Sequence, residues 1–90
     1  MIKFAAMKKI EVYTKNYCPH CQRAKELLRR KGITFIEYDV TDDALLEQEM
    51  RERSGHATVP EIFIEDAWVG GCDSLHALEQ SGTLDRMLED

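Results

Sequence analysis

The chain of 90 residues lacks any apolar run close to the ~18 residues that a membrane span requires, so we expect no membrane contact. The opening stretch MIKFAA has neither the apolar length of a secretory signal nor a cleavage pattern behind it. An excess of positive charge is also missing, because 12 Lys and Arg face 17 Asp and Glu, for a formal charge of −5. Since a mildly acidic surface repels phosphate backbones, nucleic acid is not an expected partner.

Cysteine is scarce as well, and its count of three is odd. A small secreted domain held by disulfides seldom has an odd number of cysteines, so structural disulfides are not expected. We expect instead a reducing compartment, the cytoplasm. The length suits one domain with a single modest core. Because Met7 offers an alternative start, we expect the domain to span residues 7–90, with residues 1–6 as a short extension.

In the first half of the chain, the spacing of apolar residues changes from alternation to helical spacing and back to alternation. Alternation of apolar and polar residues over KKIEVYT (residues 8–14) predicts a strand, and TFIEYDV (residues 34–40) predicts a second. Between them, apolar residues recur at helical spacing, with Pro19 in the first turn and Gly32 as the stop. A helix of ordinary crossover length between two strands implies that the strands run parallel.

A second amphipathic helix follows this β-α-β unit. It is expected to be capped at Thr41 or Asp42, to end near Gly55, and to point Leu45, Leu46 and Met50 inward.

The last third of the chain predicts two strands and a helix. EIFIE after Pro60 and AWVGG (residues 67–71) form the strands, with a tight turn near Asp66. Asp73 or Ser74 is expected to cap a helix that ends at Gly82, followed by a short turn. The predicted order is β-α-β-α-β-β-α, in the α/β class.

The stretch YCPHC is the centre of the functional argument, since a C-x-x-C pair could be a redox dithiol, part of a metal site or a structural disulfide. Cys18 is predicted to lie where the first strand meets the first helix, and a helix N-terminus stabilises a thiolate. Lys15 and His20 can add to this effect, although a solvated His20 without such a role is an equal alternative. Cys21, more shielded by the helix, suits a resolving thiol.

Metal binding is the weaker interpretation of this pair. A zinc or iron–sulfur site usually needs four protein ligands at familiar spacing. Here one C-x-x-C is joined only by the lone Cys72 and by three scattered histidines, His20, His56 and His76. We therefore expect no metal.

Three separated motifs, YTKNYCPHC, ATVPEIFI and VGGCDSL, resemble the glutaredoxins of the thioredoxin superfamily. The resemblance covers nearly all of the chain from Met7 onward and is most like a bacterial dithiol glutaredoxin with a third cysteine in a Gly-Gly-Cys-Asp segment. It implies a thioredoxin-like fold, a four-stranded mixed sheet flanked by three main helices. CPHC also resembles the tetrapeptide of periplasmic thiol oxidases, but those proteins carry an inserted helical domain that this chain has no room for.

The resemblance also implies where glutathione would lie. The backbone of Val59, beside a cis Pro60, would pair with the tripeptide as an added strand does. The γ-glutamyl end would meet a helix N-terminus, where Asp73 faces its ammonium group, and Lys15 would hold the glycine carboxylate. The implied glutathione-binding residues are in full Lys15, His20, Thr58, Val59, Pro60, Gly71, Cys72, Asp73 and Ser74.

Two residues depart from the pattern of the family. His20 stands where tyrosine is usual, and Glu47 lies at or next to a second-helix position that usually carries Gln or Arg. An acidic residue there would repel the glycine carboxylate, and Gln48, Arg51 or His56 could compensate. Cys72 is interpreted as a small packed residue beside the groove, with secondary oxidation or tuning of the active-site pair as the alternative.

We therefore expect a cytoplasmic, monomeric thiol–disulfide oxidoreductase that uses glutathione as reductant. Its substrates would be disulfide-bonded or glutathionylated proteins, and its electrons would come indirectly from NADPH through glutathione reductase. Two alternatives stay open: a thioredoxin-like reductase that works without glutathione, and a glutathione-ligated iron–sulfur binding module.

Overall fold

The computed structural model describes residues 8–89, so the expected extension at residues 1–6 lies outside the described part. Eight elements follow one another: β1 (Ile10–Thr14), α1 (Pro19–Arg30), β2 (Ile36–Asp39), α2 (Ala44–Ser54), β3 (Glu61–Ile64), β4 (Ala67–Gly70), α3 (Cys72–Gln80) and α4 (Thr83–Leu88). The predicted order is confirmed as far as α3, but the segment expected to be a short turn forms helix α4. No helix within residues 8–89 has both the length and the apolar character needed to cross a membrane.

The four strands form one mixed sheet in the order β2-β1-β3-β4. β1 and β2 run parallel, as the intervening helix predicts, whereas β3 is antiparallel to both β1 and β4. The β1–β3 register pairs Tyr13 with Glu61. Because β3 therefore begins where β1 ends, the loop that leads into β3 lies beside the segment that follows β1.

One face of the sheet carries an apolar core. It packs against α1, α3 and α4, and α1 presents one buried apolar stripe to it. The buried members are Ile10, Val12, Ala24, Leu27, Leu28, Ile33, Ile62, Ile64, Cys72, Leu75, Leu84 and Leu88. This face fixes α1, and hence the start of that helix, against the sheet.

The other face of the sheet, covered by α2, combines apolar and charged side chains. Tyr13, Met50 and Phe63 pack there, yet Glu11 is also buried at 3% exposure. The Arg53 guanidinium donates to both Glu11 carboxylate oxygens, at 3.1 and 3.0 Å, and lies 4.0 Å from the centre of the Phe63 ring. This pairing holds the pKa of the Glu11 carboxyl below its usual value.

The start of α2 differs from the sequence-based expectation. Asp43, rather than Thr41 or Asp42, caps the helix, because its side chain accepts a hydrogen bond from the Leu46 N–H at 3.0 Å. Leu45, expected to point inward, is 80% exposed. The predicted end near Gly55 is confirmed, since this residue adopts a left-handed conformation with φ of 76° that glycine accommodates without strain.

Candidate active site

Cys18 lies at the junction of β1 and α1, where it is the N-cap residue of the helix. Its Sγ accepts a hydrogen bond from the Cys21 backbone N–H at 3.2 Å. A backbone N–H and the positive end of a helix dipole both stabilise negative charge on such a sulfur atom. Cys18 is also partly exposed, so its sulfur is available to a substrate.

Cys21 occupies the first turn of α1 and is fully buried. Burial and the adjacent Cys18 sulfur raise the pKa of the Cys21 thiol to about 12. Cys21 therefore stays protonated near neutral pH in the reduced protein. The two thiols therefore differ in access: Cys18 is partly exposed at the helix N-terminus, and Cys21 is buried in the first turn of the helix.

The loop before β3 faces the Cys18 sulfur. The Val59–Pro60 peptide bond is cis, as the resemblance implies. Cys18 Sγ lies 3.7 Å from the Val59 carbonyl oxygen, in position to donate to it. Within residues 8–89 the Val59 N–H has no hydrogen-bond partner, so it is available to a strand-like ligand.

A groove of about 330 Å³ opens beside this loop. Every residue predicted to bind glutathione lines it, except Lys15. The lining residues are His20, His56, Thr58, Val59, Pro60, Glu61, Trp68, Gly70, Gly71, Cys72, Asp73 and Ser74. The structure thus brings together three segments that are distant in the sequence: the first turn of α1, the loop before β3, and the junction of β4 with α3.

The N-terminus of α3 forms one wall of the groove. Asp73 and Ser74 were expected to cap this helix, but the N-cap is Gly71 and no side chain caps it. The first backbone N–H groups of α3 are therefore available to an anionic group. Gly70 has φ of 122°, and a Cβ atom there would lie 2.7 Å from Ser74 Oγ, so only glycine allows this close approach.

Residues 10–69 match the family model for glutaredoxin. The chain belongs to the glutaredoxin family. It is 48% identical over 83 residues to glutaredoxin 3 of Escherichia coli K12, an alignment that covers 92% of this chain and 100% of that protein. It is 46% identical to a Pseudomonas aeruginosa glutaredoxin, over 91% of this chain and 98% of that one. Like its relatives, this glutaredoxin is a thiol–disulfide oxidoreductase.

Solved glutaredoxin structures share the fold. The solution structure of a Brucella melitensis glutaredoxin has 49% identity and a TM-score of 0.81, with 94% of this chain and 92% of that one covered. A crystal structure of a buckwheat glutaredoxin–glutathione complex has 28% identity and a TM-score of 0.82, with 90% and 76% covered. The thioredoxin-like fold with its four-stranded mixed sheet is therefore confirmed. The subtype with a third cysteine stays a prediction.

Lys15 of this glutaredoxin lies outside the groove lining and has an acidic neighbour. Its Nζ is 3.6 Å from Glu47 on α2, and Glu47 in turn lies 3.7 Å from Arg51. Glu47 is thus placed next to the cation that the resemblance assigns to the glycine carboxylate. Arg51, which is largely exposed, is thus a basic residue of α2 that pairs with Glu47.

Cys72, the third cysteine, lines the groove but is only 4% exposed and belongs to the apolar core. Its Sγ lies 3.4 Å from His76 Nδ1 on the next turn of α3. Burial raises the pKa of the Cys72 thiol, which disfavours the reactive thiolate. Within residues 8–89, His, Cys, Asp and Glu side chains form no group of three or more that could hold a metal ion.

Sequence reasoning did not assign a role to one side of the groove. Glu61 and Trp68 lie on adjacent strands and are joined by a hydrogen bond of 2.7 Å from Trp68 Nε1 to the Glu61 carboxylate. His56 stacks on the Trp68 ring with 4.9 Å between centroids. The signal that could have found them was an acidic residue directly after Pro60, in a strand that otherwise carries apolar residues.

Proposed function

We propose that this glutaredoxin reduces protein disulfides and glutathione mixed disulfides with glutathione as its reductant. The observation that carries the proposal is the asymmetry of the two thiols. Cys18 is accessible, lies at the N-terminus of α1 and faces Val59 on the groove, while Cys21 is buried with its pKa raised to about 12. The relative solved as a glutathione complex supports glutathione as the ligand.

In the proposed binding mode, glutathione lies along the groove with its cysteine facing Cys18. The free N–H and the C=O of Val59, beside Pro60, pair with the backbone of glutathione. The γ-glutamyl carboxylate meets the N–H groups at the start of α3, which Gly71 leaves uncapped, and Asp73 faces the ammonium group.

The remaining predicted ligand residues complete this mode. Thr58, Cys72 and Ser74 shape the groove walls, and His20 takes the place of the family's tyrosine. Lys15 already forms an ion pair with Glu47, so the glycine carboxylate of glutathione has to compete with the Glu47 carboxylate for the Lys15 ammonium group. We expect this competition to weaken the contact at the glycine end of glutathione.

For a glutathionylated protein, the proposed reaction needs Cys18 alone. The Cys18 thiolate attacks the glutathione sulfur of the mixed disulfide, the S–S bond to the protein breaks, and the protein leaves as a thiolate that takes up a proton. A second glutathione thiolate then attacks the Cys18–glutathione disulfide. Oxidised glutathione leaves, and Cys18 returns to the thiolate.

For a protein disulfide, Cys21 is required as well. Cys18 attacks one sulfur of the substrate and forms a mixed disulfide with it, releasing the other sulfur as a thiol. Cys21 loses its proton and attacks Cys18, so the substrate leaves as a dithiol and a Cys18–Cys21 disulfide remains. Two glutathione molecules reduce this disulfide, and their electrons are restored from NADPH by glutathione reductase.

The setting of this activity is also part of the proposal. We propose that the enzyme works in the cytoplasm as a monomer, with residues 7–90 as the functional domain and residues 1–6 as an extension. The odd count of three cysteines, which a disulfide-stapled secreted domain seldom has, supports a reducing compartment. The 83-residue alignment to the Escherichia coli relative supports a domain of about this length.

The test is reduction of a small glutathione mixed disulfide, coupled to glutathione reductase and NADPH. We expect turnover by the wild type and by Cys21→Ser, and none by Cys18→Ser; with a protein disulfide as substrate, both variants should be inactive. Turnover only with a thioredoxin reductase, and none with glutathione, would show a thioredoxin-like reductase instead. A brown protein with visible absorption after purification without oxygen would point to the iron–sulfur module.

A further inference from the structure

Glu61 is a carboxylate almost removed from water for which residues 8–89 supply no ion pair. It is 3% exposed, yet it is one of the residues that line the groove. Its two oxygens accept hydrogen bonds from Trp68 Nε1 at 2.7 Å and from Thr58 Oγ1 at 3.3 Å. The ion pairs among the described residues all involve other carboxylates. Since neutral donors leave its charge uncompensated, the site favours a cationic ligand.

The stacked rings of Trp68 and His56 lie next to the Glu61 carboxylate. Trp68 is 46% exposed, and its ring is stacked on His56 with an interplanar angle of 26°. The Trp68 ring is held in place from both sides, by His56 on its face and by Glu61 at its Nε1. An aromatic face next to a carboxylate matches the requirements of a guanidinium or ammonium group, which binds both.

The charges lining the groove agree with a cationic ligand. Two carboxylates, Glu61 and Asp73, line it, and neither Lys nor Arg does. The whole chain is acidic as well, with a formal charge of −5. A basic segment of a substrate is therefore attracted to this region, both at long range and at the site of binding.

The carboxylate lies within reach of a side chain near the reacting sulfur. Val59 O is 3.7 Å from Cys18 Sγ, and Glu61 follows Val59 by two positions. Two residues of extended chain span about 7 Å. A long basic side chain one to three residues from a cysteine bound at Cys18 can therefore reach Glu61 and Trp68.

We propose that His56, Glu61 and Trp68 form a subsite for a lysine or arginine side chain of the protein whose cysteine reacts with Cys18. The inference rests on the proposed function and adds a substrate preference to it. Asp73 serves the ammonium group of glutathione, so the subsite serves the other half of the mixed disulfide. This glutaredoxin then selects cysteines that have a basic residue close by in the sequence.

The test uses short peptides that carry one glutathionylated cysteine and differ at a single position, where they have Arg, Gln or Glu. The variable position is placed on either side of the cysteine in separate peptide sets. Added glutathione serves as reductant, and formation of oxidised glutathione is followed with glutathione reductase and NADPH. The ratio kcat/KM is compared between peptides for the wild type, Glu61→Gln and Glu52→Gln. Glu52, which is exposed on α2 and outside the groove lining, is the matched control because its variant removes the same charge.

We expect the wild type to prefer the Arg peptide over the Gln peptide about tenfold in one of the two sets, equivalent to ~1.4 kcal/mol. The Glu peptide should be the poorest substrate. In Glu61→Gln the preference should disappear, because the amide keeps a hydrogen-bond acceptor for Trp68 but loses the charge. In Glu52→Gln it should remain.

Three outcomes separate this inference from the function on which it rests. Equal kcat/KM for the Arg and Gln peptides in both sets of the wild type would overturn the subsite, while leaving the glutathione-dependent activity established. A Glu61→Gln variant that loses activity equally on all peptides would also overturn it, because Glu61 would then serve glutathione or the fold. Failure of the wild type to turn over any peptide would instead contradict the proposed function.

A second measurement covers the case in which Glu61→Gln does not fold. Trp68 is the single tryptophan of the chain, so intrinsic fluorescence reports directly on the subsite. The variant Cys18→Ser is titrated with unmodified peptides of the same sequences in which serine replaces the glutathionylated cysteine. We expect the Arg peptide to change the emission at lower concentration than the Gln peptide does, and identical titrations would overturn the inference.

Discussion

Arg53 is predicted to stabilise the fold by neutralising the buried carboxylate of Glu11. Its guanidinium makes two hydrogen bonds to Glu11 and one of 2.7 Å to the Tyr13 hydroxyl, and it covers the Phe63 ring. The change Arg53→Met keeps much of the apolar stem but leaves Glu11, whose side chain is 4% exposed, with only the half-exposed Lys9 at 3.9 Å as a cationic partner. Removing one partner of a buried pair costs ~3–5 kcal/mol. Because the Arg53 side chain is 23% exposed, water screens part of this loss, and we expect about 2–4 kcal/mol.

The assay is urea unfolding at equilibrium, followed by far-UV circular dichroism. The expected loss corresponds to a fall in Tm of about 10–25 °C for a domain of this size. Arg51→Met is the matched control, because Arg51 lies on the same helix, is largely exposed and pairs with Glu47. It should lose about 0.5 kcal/mol or less.

The stability difference between wild type and Arg53→Met should depend on pH in a direction that a simple loss of packing would not produce. Arg53 lowers the folded-state pKa of Glu11, so the stability from this pair is present above the unfolded carboxyl pKa and is lost as pH falls through the folded one. In Arg53→Met, burial raises the pKa of Glu11 and is opposed only by the Tyr38 hydrogen bond and by Lys9, so the pKa moves up and acid relieves part of the cost of the buried charge. The difference in unfolding free energy between wild type and variant should therefore shrink below about pH 5.

Two results would refute this reasoning. One is a loss for Arg53→Met no larger than that for Arg51→Met, which would mean that the Glu11 charge needs no neutralisation. The other is a difference that stays constant or grows on acidification. The double variant Glu11→Gln/Arg53→Met should be more stable than Arg53→Met alone, since it removes the orphaned charge.

Two further predictions concern the thiols. Lys25 is buried, pairs with Glu37 at 2.8 Å and lowers the pKa of the Cys21 thiol. Lys25→Met should therefore raise that pKa and slow the reduction of protein disulfides several-fold, while the rate of deglutathionylation stays unchanged. Equal losses of rate in the two coupled assays would contradict this role. Alkylation of the folded, reduced protein with iodoacetamide at pH 7 should give one adduct by intact mass, on Cys18, because burial raises the pKa of both other thiols. A second adduct before unfolding would show that burial does not protect them.

The elements that the sequence predicted correctly are those with local causes. Alternation located β1, and the interval from Pro19 to Gly32 located α1, because the period, the first-turn proline and the terminal glycine all lie within the element itself. The placement of Cys18 at the start of α1 followed from the same local signals.

The orientation of α2 could not be predicted in this way, because its partner surface is partly polar. The sheet face that α2 covers carries the buried Glu11, and α2 meets it with Arg53 as well as with Met50. A search for an apolar stripe takes Leu45 as inward, whereas the helix is rotated so that Leu45 lies in water. The face of this helix is set by a charge on another strand, which the local pattern does not contain.

The cap of α3 was missed for a related reason. Asp and Ser are favoured at N-caps, so Asp73 and Ser74 were the expected choices. The helix instead begins directly after β4, with Gly71 as the N-cap, and Gly70 before it lies so close to Ser74 that a Cβ atom there would clash. Glycine has no side chain that could cap the helix, so the first N–H groups of α3 stay uncapped, and the residues that carry them line the groove.

The assembly of the groove depends on the antiparallel register of β1 with β3. Cys18 continues from the end of β1, and the loop with Val59 enters β3 at the same edge, so two residues separated by 41 positions come within 3.7 Å. The intervening chain passes through α2, whose Arg53 is bonded back to Glu11 on β1. Cys18 and Val59 are therefore both fixed to β1. Cys18 follows directly from the end of this strand, and the loop with Val59 is held by the β1–β3 register and by the ion pair of Arg53 with Glu11. Loss of Arg53 should consequently loosen Val59 relative to Cys18 and reduce kcat/KM, even at temperatures where the variant remains folded.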